Sequence, residues 1–539
     1  MTNDTTFTTR NSSTNDKYTD EKAPPDVEKV SQQDSNSLTP HLYEKGELDP
    51  VYYAKTLVLN RAIQEIGMGK YQYLLFLVAG FGWFADSVWP LITGLILTPV
   101  VDEFHFNPPF LSLAANAGLL VGAVFWGLGC DVWGRRWCFN ITLFLAGAFG
   151  LAAGGSPNLV TLASLLAVMG VGVGGNLPID SAIFLDLVPA SHQYLLTFMS
   201  IFWCLGQLLV NLLAWPLIAN FSCTFGSSNC QRKDNMGWRY LLFMLGGITL
   251  LLWAARFFLF NLVESPRYLI GKGKDEEAVA VIHRVAEYNG KTSSLTVDQL
   301  TSLGSIYDQA GADRGLRWSL SRTSDFTLDH IRALFRTAKV AYSTSLLISI
   351  WGIIGLASTL YNNFLPFLLT SRGAHFGDSS LNITYRNTFI LSVIGVPSAF
   401  FATWLVQIPQ LGRRGALACS AGMDHRGVSS VTGAFLFATT TARSSNALLG
   451  WNCGYTFWSN IMYGILYAIS PEIFPAKDRG TGNGLTAAAT RVFGLIAPII
   501  ALYANLNTAV PVWIAGALII FAGSLALFLP YEPRGKASM

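Results

Sequence analysis

Gly127-Leu128-Gly129-Cys130-Asp131-Val132-Trp133-Gly134-Arg135-Arg136 is a short basic turn between two long apolar runs, and Pro409-Gln410-Leu411-Gly412-Arg413-Arg414 is its counterpart in the second half of the chain. A second pair repeats the relation: Asp186-x-x-Pro189-x-x-x-Gln193 and Glu472-x-x-Pro475-x-x-x-Arg479. Each pair recurs at the same place in its half, at the foot of an apolar segment. Two copies of a multi-helix unit facing each other across a bilayer form the architecture of a secondary transporter. The expectation from these turns is therefore a solute carrier.

The composition agrees. Of 539 residues, 51% are hydrophobic and 13% charged, against about 25% charged in soluble domains. Apolar runs of roughly 20 or more residues recur along most of the length, as a hydrocarbon core of about 30 Å requires. A net charge of +3 is too small to suggest a nucleic-acid partner. No P-loop, metal-ligand cluster or nucleophile elbow appears, which argues against ATP-driven transport and against an enzyme. No metal or organic cofactor is expected, and a proton gradient is the expected energy source. The expected partners are a small-molecule substrate, protons and the lipid bilayer, with the chain working as a monomer.

Seven cysteines include no C-x-x-C pair. Cys130, Cys138, Cys204, Cys419 and Cys453 lie in or beside apolar runs, as small packing residues do. Cys223 and Cys230 share a short polar loop, which permits a local disulfide if that loop faces an oxidising compartment.

Along the chain, residues 1–50 read as a disordered tail, polar and without the apolar core of a signal peptide. The first membrane helix is then the insertion signal. Residues 51–70 carry a helix-like stripe at Leu57, Ala62, Ile63 and Ile66, fit for the membrane surface or the side of a bundle. Twelve apolar segments follow. Six fall in a first half over 71–263, at 71–99, 110–129, 137–154, 158–187, 194–221 and 238–262. Six fall in a second half over 338–530, at 338–369, 386–408, 416–441, 447–471, 480–503 and 508–529. In lipid each must be helical. The predicted fold is an all-α integral membrane protein, with twelve transmembrane helices in two six-helix halves.

A polar loop over 264–337 joins the halves, and 531–539 forms a short tail. Within the loop, Asp275 to Tyr288 reads as an amphipathic helix with acids in its first turn. The loop and both arginine turns fall on one side by helix counting. The positive-inside rule assigns that side and both termini to the cytoplasm. The opposite loops hold the glycosylation acceptors Asn220-Phe221-Ser222 and Asn382-Ile383-Thr384, the latter farther from the membrane. The plasma membrane is the default location, with a vacuole or vesicle as alternatives.

One segment departs from the pattern. Asp424-His425-Arg426 interrupts the ninth span, where each charge costs about 2.5–3.5 kcal/mol on insertion scales. Residues 422–431 admit three readings, a splicing artefact, a broken helix or displaced loop, and a charged site, and no function is placed on them.

These motifs together resemble the major facilitator superfamily, and within it the sugar-porter-like branch. D-x-x-G-R-R after the second helix, E-x-x-P-x-x-x-R after the tenth with its variant after the fourth, and Glu264-Ser265-Pro266-Arg267 after the sixth are similar to that branch's cytoplasmic motifs. Glu532-Pro533-Arg534-Gly535-Lys536 is similar to its closing motif. Gly80 to Asp86 (GFGWFAD) and Gly174 to Pro178 (GGNLP) look closest to fungal relatives of the synaptic-vesicle-two-related transporters. Some positions differ from the sugar porters. Trp351 to Asn363 (WGIIGLASTLYNN) lacks the double glutamine of helix seven, and Tyr467 replaces the helix-ten tryptophan. Pro409 and Gln193 stand where the repeat would carry Asp and Arg. Of the usual sugar contacts only Gln207-Leu208 is matched.

The resemblance implies that Asp86, in the middle of helix one, is the proton-coupling group. Burial disfavours the charged form of a carboxylate, so an acid at that depth can carry a proton, or it can be a structural group bonded to Ser87 or to a backbone amide. Asp180 on helix four is the second coupling candidate, or else the partner of an arginine. Arg256 and Arg491 are candidate charge partners. Either can attract an anionic substrate or pair with Asp180 or Asp86, and Arg256 can instead snorkel to the surface. The expected substrate pocket comprises Asn176, Trp203, Gln207, Tyr361, Asn362, Asn363, Asn452, Tyr455, Trp458 and Asn460, polar and aromatic groups at central depth. The expected cytoplasmic gate comprises Gly127, Asp131, Gly134, Arg135, Arg136, Asp186, Glu264, Arg267, Arg413, Arg414, Glu472 and Arg479. Acids at fixed spacing beside the arginines favour gating over topology anchoring alone. The function expected is proton-coupled symport of a sugar, polyol or organic acid. The aromatics and arginines lean toward an acid. An exporter by proton antiport and a non-transporting sensor are the alternatives.

Overall fold

Backbone groups in hydrocarbon can pair only within their own segment, so the apolar runs fold as helices. The computed structural model describes residues 50–106, 109–223, 230–303, 329–362, 381–421, 431–475, 478–503 and 509–533, and among them the chain is helical with no strand. Helix α1 (Pro50–Ile66) precedes the first half. That half holds α2 (Lys70–Leu95) with its continuation α3 (Leu97–Phe104), α4 (Pro109–Trp133), α5 (Arg135–Ala153) and α6 (Leu159–Leu187). Its fifth crossing is α7 (Leu195–Phe198) running into α8 (Ser200–Phe221), and its sixth is α9 (Gly237–Leu259). Short helices α10 (Pro266–Gly271), α11 (Asp275–Tyr288) and α12 (Asp329–Ala333) lie between the halves. The second half holds α13 (Ala338–Asn362), α14 (Leu381–Gln407), α15 (Gly412–Ala421), α16 (Val431–Thr439), α17 (Ser445–Ile473), α18 (Arg479–Tyr503) and α19 (Val510–Ala526).

The chain is thus an all-α integral membrane protein with twelve transmembrane helices in two halves of six. Eight helices are by themselves long and apolar enough to cross among the described residues. The ninth crossing is carried by α15 and α16 on either side of 422–430, which lie outside the described residues together with Asp424, His425 and Arg426. Helix ends shift modestly from the sequence expectation. The first crossing stops at Leu95 rather than 99, and the eighth begins at Leu381 rather than 386. The amphipathic α11 spans the residues expected.

Packing within the first half rests on small residues. Gly118 and Gly122 of α4 and Gly170 and Gly174 of α6 meet backbone to backbone, which lets van der Waals contact hold helices that lipid would otherwise surround. The halves touch along two seams, α4 against α18 and α8 against α14. Outward faces carry large apolar side chains; Phe258 is 73% and Leu259 80% exposed. Such exposure fits lipid and would be unusual in water.

Helix α1 does not lie free on a membrane surface. Leu59, Ala62, Ile63 and Ile66 pack against Leu269, Ile270 and Ile282 of α10 and α11. Lys55 pairs with Asp275 at 2.5 Å. Leu57 meanwhile belongs to the apolar cluster of the second half, with Leu334 and Val340. This face, bearing α1, α10, α11 and the arginine turns, is called the basic face below.

On the opposite face, Glu103 of α3 ties the first crossing to the sixth. Arg239 grips it with both terminal nitrogens, at 2.8 and 2.6 Å, while Trp238 and Asn235 donate at 3.1 and 3.0 Å. Burial pulls this carboxyl up, but the hydrogen bonds and charge of Arg239 outweigh it and hold it below the ordinary glutamate value. A lowered carboxyl contributes stability that is complete above its unfolded value, about 4.3, and is lost as pH falls through the folded one. Glu103→Gln leaves the fully buried Arg239 without its anion, a loss of about 3–5 kcal/mol. Thermal unfolding in detergent should show this difference undiminished at pH 6 and shrinking below about pH 4.

Candidate functional site

The two arginine turns share a local geometry. Gly134 and Gly412 hold positive φ of 96° and 61°, a region open to glycine and costly for other residues. Each turn starts a helix whose first N–H groups need acceptors. Glu264 accepts from the N–H groups of Arg135 and Arg136 at 3.1 and 3.3 Å. Glu532 accepts from those of Arg413 and Arg414 at 2.9 and 3.1 Å. A carboxylate caps the helix at the same position in both halves, where its charge suits the helix dipole.

The side chains of these turns are less symmetric. Arg413 pairs with Glu472, its Nη2 donating at 2.8 Å, inside the second half. Arg135 pairs with Asp186 inside the first. Asp186 is fully buried and also accepts from Ser265 and, at 3.5 Å, from Arg267. Arg479 reaches the same carboxylate from the second half, Nη1 to Oδ1 at 2.5 Å. One acid thus collects three guanidinium groups, and one of them links the halves. Gln193, neutral, holds the position that Arg479 holds in the repeat. Burial pushes the nearby Tyr52 phenol of α1 up to about 12, with the Asp186 charge adding to the rise.

Around this cluster, Gly127 of α4 lies against Gly484 of α18, so close that an added methyl group would fall on the facing backbone. Arg136 contributes its N–H and leaves its side chain exposed. Arg414 donates to the Leu527 carbonyl at 2.6 Å. Asp131 lies in α4, and its side chain is outside the described residues. Glu472 and Glu264 serve within their own halves, where an arginine and a helix start are at hand.

Deeper in the first half, Asp180 of α6 and Arg256 of α9 form a buried pair at 2.6 Å. Arg256 also donates to the carbonyls of Phe139 at 2.7 Å and Val78 at 3.3 Å, and its guanidinium lies 3.4 Å from the centre of the Phe139 ring. Snorkelling to the surface is therefore excluded for Arg256, which is 1% exposed. Asp86 of α2 is also buried. Its Oδ2 accepts from the Leu177 N–H at 3.1 Å, while its Oδ1 meets no partner among the described residues. Ser87 donates to the Phe84 carbonyl, not to Asp86.

A small cavity of about 40 Å³ lies between the halves, bounded by α6, α13, α17 and α18. Pro178, Trp351, Tyr467, Asn483, Thr490 and Arg491 are on its wall. The hydroxyls of Ser181, Ser470, Thr486 and Thr490 on that wall donate to carbonyls. Arg491 makes no hydrogen bond or ion pair among the described residues. Its charge acts through space on Asp86. Aromatic rings surround Tyr467: Trp351 at 4.5 Å, Trp83 at 5.6 Å and Trp203 at 5.7 Å between centroids.

None of the nine described residues expected to bind substrate is among those that line this cavity. Tyr361 donates to Asn452 at 2.6 Å and Tyr455 to Asn362 at 3.3 Å, so these four satisfy one another between α13 and α17. Trp458 packs on Phe401 at 5.6 Å. Asn460 sits against Gly395. Asn176 is buried on α6 near Asp86. Gln207 lies half-buried on α8. Trp203 touches the aromatic group through Tyr467, and Asn363 lies outside the described residues. The cavity residues Asn483, Thr486 and Thr490, which the reading missed, had a signal: with the expected Arg491 they form a polar stripe at helical spacing.

On the opposite face, Cys223 and Cys230 are joined by a disulfide of 2.01 Å. Asn220 and Asn382 are exposed near helix ends. Asn220 donates to the Pro216 carbonyl at 2.9 Å, and Asn382 accepts from the Trp215 ring nitrogen at 2.6 Å. That bond crosses between the halves, as does the 2.7 Å bond from the Tyr385 hydroxyl to the Leu95 carbonyl. Polar links between the halves therefore exist on both faces.

A family profile described as "Sugar (and other) transporter" matches residues 110–532. The chain is 68% identical over 503 residues to "MFS siderochrome iron transporter 1" of Ceriporiopsis subvermispora, covering 93% of this chain and 95% of that one. It is 39% identical over 537 residues to "Major facilitator-type transporter hxnZ" of Emericella nidulans, covering 97% and 94%. Among solved structures, the proton:xylose symporter XylE bound to 6-bromo-6-deoxy-D-glucose aligns with a TM-score of 0.65 at 18% identity, over 87% of this chain and 98% of that one.

Proposed function

This chain belongs to the sugar-porter-like branch of the major facilitator superfamily and is a membrane transporter, and from that premise we propose that it is a proton-coupled symporter of a small organic carboxylate. The observation that carries this reading is Arg491. A guanidinium that makes no ion pair among the described residues, on the wall of a cavity between the halves with Trp351 and Tyr467, suits a flat carboxylate. Asp86 is the proposed proton carrier. A carboxylate with one oxygen that meets no partner among the described residues can take a proton there without breaking its bond to the Leu177 N–H. Alternating access follows from the two halves meeting around one cavity.

The basic face is assigned to the cytoplasm by the positive-inside rule, and the plasma membrane is the proposed location. The relative of 68% identity is named for siderochrome iron, which makes a ferric chelate the second reading.

The test is uptake into proteoliposomes across carboxylates, sugars, polyols and ferric chelates, with and without an imposed proton gradient. Carboxylate uptake that rises with an inward proton gradient is the expected result. Arg491→Gln should raise the KM for the carboxylate roughly 10–100-fold, the worth of a charged hydrogen bond. Uptake of a neutral sugar that no carboxylate inhibits, or an Arg491→Gln variant with unchanged KM, would overturn the reading.

A further inference from the structure

Arg491 occupies one end of a polar stripe whose other end has a free group of its own. Asn483, Thr486, Ala487, Thr490 and Arg491 recur at three- and four-residue steps, and all five line the cavity. One face of α18 therefore forms its wall. Asn483 is 5% exposed, and both its amide oxygen and its amide nitrogen are buried without a hydrogen-bond partner among the described residues. Native structures rarely leave both ends of a buried amide unmet, because each unmet group keeps its full desolvation cost. The threonines beside it are already bonded. Thr486 donates to the Asn483 carbonyl at 2.9 Å and Thr490 to the Thr486 carbonyl at 3.0 Å. They cannot turn their hydrogens toward Asn483 without giving up those bonds. The Asn483 amide is thus left, on the cavity wall, without a partner among the described residues.

We infer that Asn483 is the second polar anchor of the cavity, and that the carried anion bears a neutral hydrogen-bonding group on the side of its ring away from the carboxylate. This rests on the reading of Arg491 as the carboxylate anchor. Eight residues separate the two along α18, about 12 Å between Cα atoms at 1.5 Å per residue. The long arginine side chain narrows that gap toward the length of one substituted aromatic ring. The rings of Trp351 and Tyr467 offer flat faces beside that gap. An amide presents both a donor and an acceptor, so a ring nitrogen, a hydroxyl or a carboxamide would each be met. A bare benzoate would leave Asn483 unsatisfied. A site built around such a group discriminates strongly against analogues lacking it.

The experiment measures inhibition constants for benzoate, 4-hydroxybenzoate and pyridine-3-carboxylate on the reconstituted full-length protein. Wild type, Asn483→Leu and Asn483→Gln are compared. Wild type should prefer at least one substituted compound over benzoate by roughly 10–100-fold. Asn483→Leu should bring that ratio within about twofold while leaving benzoate itself unchanged, and Asn483→Gln should restore part of it. A ratio untouched by Asn483→Leu, or an equal loss for all three compounds, overturns the inference and makes Asn483 a water ligand or a gate residue. If benzoate binds in an Arg491-dependent way and the ratio does not move, the failure is confined to Asn483. If no carboxylate inhibits wild type, the carboxylate reading falls with it.

Discussion

Asp86→Asn should abolish accumulation driven by a proton gradient while leaving downhill exchange of the substrate intact. A gradient of one pH unit is worth about 1.4 kcal/mol per proton, or a tenfold accumulation ratio when one proton accompanies one substrate. The variant's ratio should fall to one. Asparagine can still accept from the Leu177 N–H through its carbonyl oxygen, so the bond that holds the wild-type carboxylate at 3.1 Å survives. What is lost is the site for a proton. Asp180, the other acid at this depth, is already committed to Arg256 at 2.6 Å. Removing its charge would strand a buried guanidinium, so Asp180→Asn should lower the yield of folded protein rather than uncouple it. Accumulation ratio and counterflow exchange, measured on the same proteoliposomes, check the prediction. A variant that concentrates substrate as wild type does would remove Asp86 from the coupling step.

The fold and the basic face were legible in the sequence because their signals are local. An apolar run near 20 residues has one stable form in lipid. Glu264 caps the turn at Arg135 and Glu532 the turn at Arg413, but 129 residues separate the first pair and 119 the second, so spacing alone did not announce that repeated contact. The cavity was harder to read, because lining it depends on how each helix is rotated against its neighbours. Tyr361, Asn452, Tyr455 and Asn362 have the composition of a binding site, yet they bond to one another across α13 and α17. Composition does not separate a polar group that is satisfied from one that is free. Asn483 and Thr486 belong to a polar stripe, and it is the fold that sets them on one cavity wall with Trp351 and Tyr467. Arg256 and Asp180 were both visible as unusual charges. Their pairing joins residues 76 apart in sequence, and no local pattern encodes it.

Arg479→Gln should shift the protein toward the state open on the basic face. Asp186 binds Arg135 and Arg267 from its own half, and Arg479 is the partner that comes from the other. The substitution removes the link between halves and leaves Asp186 paired, whereas Asp186→Asn would bury three guanidinium groups without an anion and endanger folding. Breaking one side of a buried charged contact at an interface costs about 2–5 kcal/mol. A loss of about 3 kcal/mol from the closed state alone raises the open-to-closed ratio roughly 100-fold. Opening must separate Gly127 from Gly484, whose backbones touch when the face is closed. Amide hydrogen exchange over 123–133 and 479–487 should therefore quicken in Arg479→Gln. Arg413→Gln is the control. Its partner Glu472 lies in the same half, so it should lower thermal stability while leaving the exchange contrast between those segments and the rest of the chain as in wild type. Equal protection of the two segments in Arg479→Gln and wild type would mean that the Asp186 cluster holds the first half together and does not hold the face shut.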